Sequence, residues 1–191
     1  MKKLSHIDDA GRAGMVDVGA KQVSRREAIA RGFIYMSPET LSAVAQRRIV
    51  KGEVLQVARV AGVMGAKRTW ELIPMCHQVP LDKVGVRFRP MPEEGGIAIE
   101  AMARCSAKTG VEMEALTAVS VAALVIYDMC KGMDKSMSIG AVHLARKTGG
   151  KSGDFTHPSP PGPALGPIAP QNQRTDEANI DDKTSPGGQW E

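Results

Sequence analysis

The stretch EMEALTAVSVAALVIYDMCK, residues 112–131, limits the fold of this chain more than any other segment. From Ala115 to Tyr127 it is apolar almost all round, so as a helix it must be covered on several sides. Charge brackets it, with Glu112 and Glu114 at its start and Asp128 and Lys131 at its end. No apolar run in the chain reaches the ~20 residues that a membrane span needs. The stretch is therefore read as the central helix of a globular domain, and the remaining segments must supply its cover.

The segment KVGVRFR (83–89) alternates, with Val84, Val86 and Phe88 on one side and Lys83, Arg87 and Arg89 on the other. That is the period of a half-buried strand. MPEEGG makes a turn and IAIEAMARC (97–105) alternates again, which predicts a hairpin. SMSIGAVHLAR (136–146) reads as a further strand, and RREAIARGFIYM (25–36) is ambiguous, with strand preferred. In SPETLSAVAQRR (37–48), Ser37 suits a helix N-cap and Pro38 the first helical position. Residues 53–72 place Val54, Val57, Ala61 and Met64 at helical spacing. Gly62 and Gly65 each weaken that helix by about 1 kcal/mol relative to alanine, a cost that close packing of a neighbour would offset. Strand, two helices, hairpin, helix, strand is the order of an α+β fold. The expectation is a ferredoxin-like sandwich, a mostly antiparallel sheet with helices on one face and one inserted helix.

Seven of the 12 prolines lie in residues 158–191, which show almost no apolar periodicity. Such a segment cannot offset its ordering entropy by burial. The expected organisation is a single α+β domain over 1–157 and a disordered, proline-rich tail over 158–191. The tail carries two basic and five acidic residues, so of the chain's net charge of +4 the first 157 residues hold +7. Mild basicity is common, but a surplus of this size also suits an anionic partner such as phosphates, nucleic acid or an acidic metabolite. Cys76, Cys105 and Cys130 form no CxxC pair, and the N-terminus has no apolar leader. Both point to a reducing, cytoplasmic setting without a membrane.

Two readings of Asp128 and Lys131 stand side by side. They share a helix face at i,i+3 and could be an ordinary ion pair. Yet a carboxylate at a helix C-terminus faces the negative end of the macrodipole. That suits an acid–base pair where a buried helix meets solvent. Glu112 and Glu114 suit the first turn of a helix without any catalytic role. Lys51, Lys67, Arg68, Lys147 and Lys151 are scattered, and would neutralise a polyphosphate if they converged. The octapeptide ARKTGGKS (145–152) approaches a phosphate-binding loop, but Ala145 replaces its first glycine and no helix is expected after it. Adjacent Cys76 and His77 lack a second ligand pair at zinc spacing, so no metal site is assigned. His77 reads better as a ring donor or acceptor near a substrate.

Four segments, LSHIDDAGRAGMVDVGAK (4–21), AKRTWELIPMCHQVPL (66–81), KTGVEMEALTAVSVAALVIYDMCK (108–131) and GGKSGDF (149–155), stand in an order that resembles the cyclic pyranopterin monophosphate synthase family, protein C of molybdenum cofactor biosynthesis. The resemblance runs from about Leu4 to Phe155. It implies a ferredoxin-like subunit in a homohexamer, a trimer of dimers with sites at the dimer interface. It also implies conversion of a nucleotide-derived small molecule, (8S)-3′,8-cyclo-7,8-dihydroguanosine 5′-triphosphate, to cyclic pyranopterin monophosphate with release of diphosphate. Carried over, Asp128, Lys131 and Lys51 match catalytic positions. Met75, Cys76, His77, Met113 and Glu114 match substrate-contacting positions, and Glu112 an active-site carboxylate. Arg26, Lys67 and Lys147 match the residues that hold the triphosphate. Met75 departs from the more usual leucine, a change of similar volume. No cofactor is required by this reading, although Mg²⁺ can travel with the diphosphate. A nucleic-acid-binding domain is the rival, supported by Arg87 and Arg89, but aromatic residues for base stacking are few. A non-catalytic oligomeric scaffold is the other, and Asp128 against the helix dipole weighs against it.

Overall fold

The computed structural model describes residues 12–164. The elements are β1 (Ser24–Tyr35), α1 (Pro38–Ala45), α2 (Val54–Lys67), α3 (Thr69–Leu72), β2 (Leu81–Met91), β3 (Gly96–Ala107), α4 (Glu112–Cys130), β4 (Ser138–Thr148) and the short β5 (Phe155–Thr156). A single 3₁₀ turn, Pro92–Glu94, closes the β2–β3 hairpin. The sheet order is β2-β3-β1-β4-β5 and every described pairing is antiparallel. β1 and β2 are thus parallel with β3 between them, and β3 and β4 are parallel with β1 between them. Two crossovers that each skip one strand make the ferredoxin-like arrangement expected from the sequence, with α1 as the inserted helix.

Helix α4 is covered as its sequence demands. Ala115, Ala118, Val119, Ala122, Ala123 and Ile126 are all buried, packed with Ala28, Ala30 and Ile34 of β1 and Ile97, Ile99 and Ala101 of β3 in one core. Contrary to the expectation from the sequence, α4 is long and apolar enough to cross a membrane, the one such helix among the described residues, and half of that stretch is buried inside the protein. The two glycines of α2 let it lie against α4. A Cβ at Gly62 would stand 2.9 Å from the Ala118 carbonyl oxygen, and one at Gly65 would stand 2.8 Å from the Val121 side chain. Small residues on both helices replace interdigitated large ones, so the backbones approach closely and α2 covers the side of α4 that the sheet leaves open.

Three local expectations change. Residues 53–72 form two helices, because Arg68 leaves helical geometry (φ −108°, ψ 12°). The buried Thr69 hydroxyl then donates to the Gly65 carbonyl at 3.2 Å. β3 does not alternate between buried and exposed. Its run from Gly96 to Ala101 is buried throughout, because β3 is an interior strand. On its far face Glu100 is buried with Arg31, whose Nε donates to Glu100 Oε2 at 3.0 Å, and with Arg87 at 4.0 Å. Finally, residues 149–156 turn back and pair as β5, whereas the sequence showed no strand there.

The chain continues over that far face. The His157 main-chain N–H donates to the Ala145 carbonyl at 2.9 Å, and the rings of His143 and His157 meet edge to face at 5.2 Å. Gly162 approaches Ala141 so closely that a Cβ there would stand 2.6 Å from the alanine methyl. Residues 158–164 of the expected tail are thus described, and residues 165–191 lie outside the described residues.

Asp134 fastens the end of the α4 connection to the start of α1. Its Oδ2 accepts from the Ser37 N–H at 2.8 Å, and its Oδ1 accepts from the Ser136 N–H at 2.9 Å and hydroxyl at 2.6 Å. These bonds, led by the Ser136 hydroxyl, hold its carboxyl below the usual carboxylate range. Ser37 in turn caps α1 by accepting from the Thr40 N–H at 3.2 Å, the role that the sequence assigned to it.

Candidate active site

A groove of about 1190 Å³ opens where several chain segments meet. Val16, Val18 and Lys21 come from the segment before β1, and Arg26 from β1 itself. Met75, Cys76 and His77 come from the loop before β2, and Lys108 and Gly110 from the loop before α4. Glu112, Met113 and Glu114 form the first turn of α4, and Lys147, Lys151 and Ser152 follow from the end of β4. Five cationic side chains (Lys21, Arg26, Lys108, Lys147 and Lys151) face two carboxylates. Such a lining attracts a polyanion and leaves acidic groups to read a polar ring.

The two carboxylates differ in role. Glu112 pairs with Lys147, Oε1 to Nζ at 3.1 Å, and Lys147 also donates to the Ser152 hydroxyl at 2.7 Å. Glu112 curls back over Gly110 and fills the space that a Cβ at residue 110 would need. Glu114 is buried, and burial pushes its carboxyl up, with the charge of Glu112 adding to the shift. Burial, then the charge of Glu114, also pushes the Cys76 thiol up. A thiol so placed is poorly suited to act as a thiolate nucleophile or ligand. Among the described residues no three His, Cys, Asp or Glu side chains cluster as a metal site.

Arg26 is held in the groove wall by its surroundings. Its Nη2 donates to the Lys108 carbonyl at 3.3 Å, and its Nε is buried with no hydrogen-bond partner. Gly150, in the left-handed region at φ +85°, leaves room for the guanidinium, which a Cβ there would strike. Gly150→Ala should therefore displace Arg26. The expected results are destabilisation of about 1 kcal/mol from the backbone conformation and about tenfold weaker binding of inorganic triphosphate, the size of one charged hydrogen bond. Titration calorimetry and thermal denaturation measure the two. Undiminished triphosphate affinity would remove Arg26 from the anion wall.

The second cluster lies elsewhere. Asp128 sits at the far end of α4, 60% exposed, with Lys131 Nζ at 2.7 Å from Oδ1 and Lys51 Nζ at 3.7 Å from Oδ2. Lys51 also donates to the Asp128 main-chain carbonyl at 2.9 Å. The hydrogen bond from Lys131, then the charges of Lys131 and Lys51, hold the Asp128 carboxyl below its usual range, and the same bond raises Lys131. The unfavourable dipole position inferred from the sequence is thus answered by two lysines. Glu112 and Asp128 are separated by 16 residues of α4, about 24 Å along the helix. Lys67, the last residue of α2, is exposed and does not line the groove.

The structure therefore joins Arg26, Met75, Cys76, His77, Glu112, Met113, Glu114 and Lys147 in one groove. It joins Lys51, Asp128 and Lys131 in a second cluster, and leaves Lys67 outside both. Lys21 and Lys108 were not singled out by the sequence. Their one signal is proximity to the motifs, since Lys21 ends the first and Lys108 begins the third.

The sequence model of the MoaC family matches residues 15–150. Curated relatives bear the name cyclic pyranopterin monophosphate synthase. One from Pelotomaculum thermopropionicum is 57% identical over 155 residues, covering 81% of this chain and 91% of the relative. One from Chloroflexus aurantiacus is 56% identical over 156 residues, covering 82% and 96%. One from Desulforapulum autotrophicum is 59% identical over 155 residues, covering 81% and 95%.

Proposed function

Because the chain belongs to the MoaC family, we propose that it is a cyclic pyranopterin monophosphate synthase acting in molybdenum cofactor biosynthesis. It converts (8S)-3′,8-cyclo-7,8-dihydroguanosine 5′-triphosphate to cyclic pyranopterin monophosphate and releases diphosphate. The observation that carries this reading beyond family membership is the groove, with its five cations around two carboxylates. Arg26 and Lys147 hold the triphosphate, and Lys67, which lies outside the groove of its own chain, joins them from a second copy. Their positive charge stabilises the diphosphate as it leaves when the cyclic phosphate closes. Met75, Cys76, His77, Glu112, Met113 and Glu114 contact the ring system. Opening the imidazole portion and rebuilding it as a pterin moves protons at several nitrogens and oxygens, which requires positioned acids and bases. Asp128 and Lys131 act as a coupled proton-transfer pair, with Lys51 as a second acid or base. This reading requires no resident cofactor, and Mg²⁺ can travel with the diphosphate.

A general acid or base must come within hydrogen-bond reach of its proton, roughly 3 Å. The catalytic trio and the groove of one chain are about 24 Å apart along α4. A second copy must then bring its trio to the groove of the first, which favours paired subunits within a homohexamer built as a trimer of dimers. Val57, Val60 and Met64 of α2 and Leu124 of α4 are exposed apolar residues that give such a contact its material. The free thiols Cys76, Cys105 and Cys130 fit work in the cytoplasm.

Incubation of the protein with the cyclic dihydroguanosine triphosphate should yield diphosphate and cyclic pyranopterin monophosphate in equal amounts. A folded protein that releases neither overturns the assignment.

A further inference from the structure

Ahead of β1, residues 12–23 form no helix or strand beyond a single bridge at Ala13, yet Val16, Val18 and Lys21 form part of the groove wall. The two valines are half-buried, while Met15, Asp17 and Gly19 beside them are exposed. A small turn follows, in which the Gly19 N–H donates to Asp17 Oδ1 at 2.7 Å and the Lys21 N–H donates to the Val18 carbonyl at 3.1 Å. The turn presents the Gly19 carbonyl to Lys108, whose Nζ donates to it at 2.6 Å across 89 residues of sequence. The main chain of Lys108 is committed as well, since its carbonyl accepts from Arg26. One residue of the loop before α4 thus ties the N-terminal segment by its side chain and the arginine of β1 by its backbone.

We propose that Lys108 is a positioning residue: it latches residues 16–21 against the groove as a wall, and through that wall it sets the affinity for the substrate. The proposal rests on the reading of the groove given above. Loss of the ammonium frees Val16, Val18 and Lys21, while Arg26 keeps its acceptor in the Lys108 main chain and Glu112 keeps Lys147. Lys108 bonds to none of the acid–base residues Lys51, Asp128 and Lys131, so the loss falls on binding and spares the chemical step.

Lys108→Met keeps the stem and removes the donor, and Lys108→Arg keeps a donor. Asp17→Ala dismantles the turn from the other side without touching Lys108, and it reads the latch should Lys108→Met fail to fold. In ligand-free protein, amide hydrogen exchange at residues 16–21 should quicken about tenfold in Lys108→Met and Asp17→Ala. In the same two variants KM should rise about tenfold with kcat within twofold of wild type, and Lys108→Arg should recover most of both losses. Exchange that is unchanged in both variants overturns the latch, and quicker exchange with unchanged KM overturns its link to the substrate. A wild-type protein without turnover would instead sink the reading of the groove. The exchange measurement, made without ligand, would still decide whether Lys108 holds the segment.

Discussion

Asp128→Asn is expected to lower single-turnover diphosphate release by about 10²–10⁴-fold, the range for loss of a general acid or base, while the melting temperature barely moves. The asparagine keeps the shape of the side chain and removes the one carboxylate that Lys131 and Lys51 share. All three side chains are largely exposed, and exposed ion pairs contribute little to stability. The two lysines hold the Asp128 carboxyl below its usual range and Asp128 raises Lys131, so at neutral pH the pair stands as carboxylate and ammonium. The folded pKa of Asp128 is depressed. Its contribution to stability is therefore present above the ordinary carboxylate range and is lost as pH falls through the lower, folded value. Turnover that depends on the carboxylate should persist down to the same acid limit. A purely structural trio predicts the opposite outcome, a lowered melting temperature with turnover intact. That result would show the cluster to be a helix-end fastening, a role for which Lys51 has the geometry through its bond to the Asp128 carbonyl.

Lys51→Ala and Lys147→Ala subunits should each be nearly inactive alone, yet regain activity when unfolded and refolded together. Lys51 stands beside Asp128 at one end of α4, and Lys147 beside Glu112 at the other. If each site takes its trio from one copy and its groove from another, a mixed pair holds one doubly altered site and one intact site. Random pairing of equal amounts then restores roughly a quarter of wild-type turnover. Mixed oligomers, verified by mass, that show no recovery would mean that both residues serve the same chain's site. The 24 Å estimate along α4 would then require a large rearrangement.

Much of this arrangement could be read from the chain. Strands β2 and β3 follow from local alternation, because a strand turns successive side chains to opposite faces whatever surrounds it, and helix α4 follows from the length of its apolar run. The pairing of Asp128 with Lys131 is of the same kind, since residues three apart share a helix face. The break at Arg68 was not legible. It depends on Thr69 being buried against its own preceding turn, which helical spacing alone does not report. The two-sided burial of β3 was also hidden, because a strand's place in the sheet order is a property of all the strands together.

The sequence by itself determined that α4 must be the covered centre of an α+β sandwich, since no exposed helix could carry the run from Ala115 to Tyr127. It also placed charged groups at both ends of that helix. Only the tertiary structure decided which charges meet. Lys51 closes on Asp128 across 77 residues and Lys108 on Gly19 across 89. Lys147 reaches Glu112, while Lys67 stands apart from the groove. Such meetings depend on where the crossovers return the chain, and charge in a sequence has no period from which that return can be read.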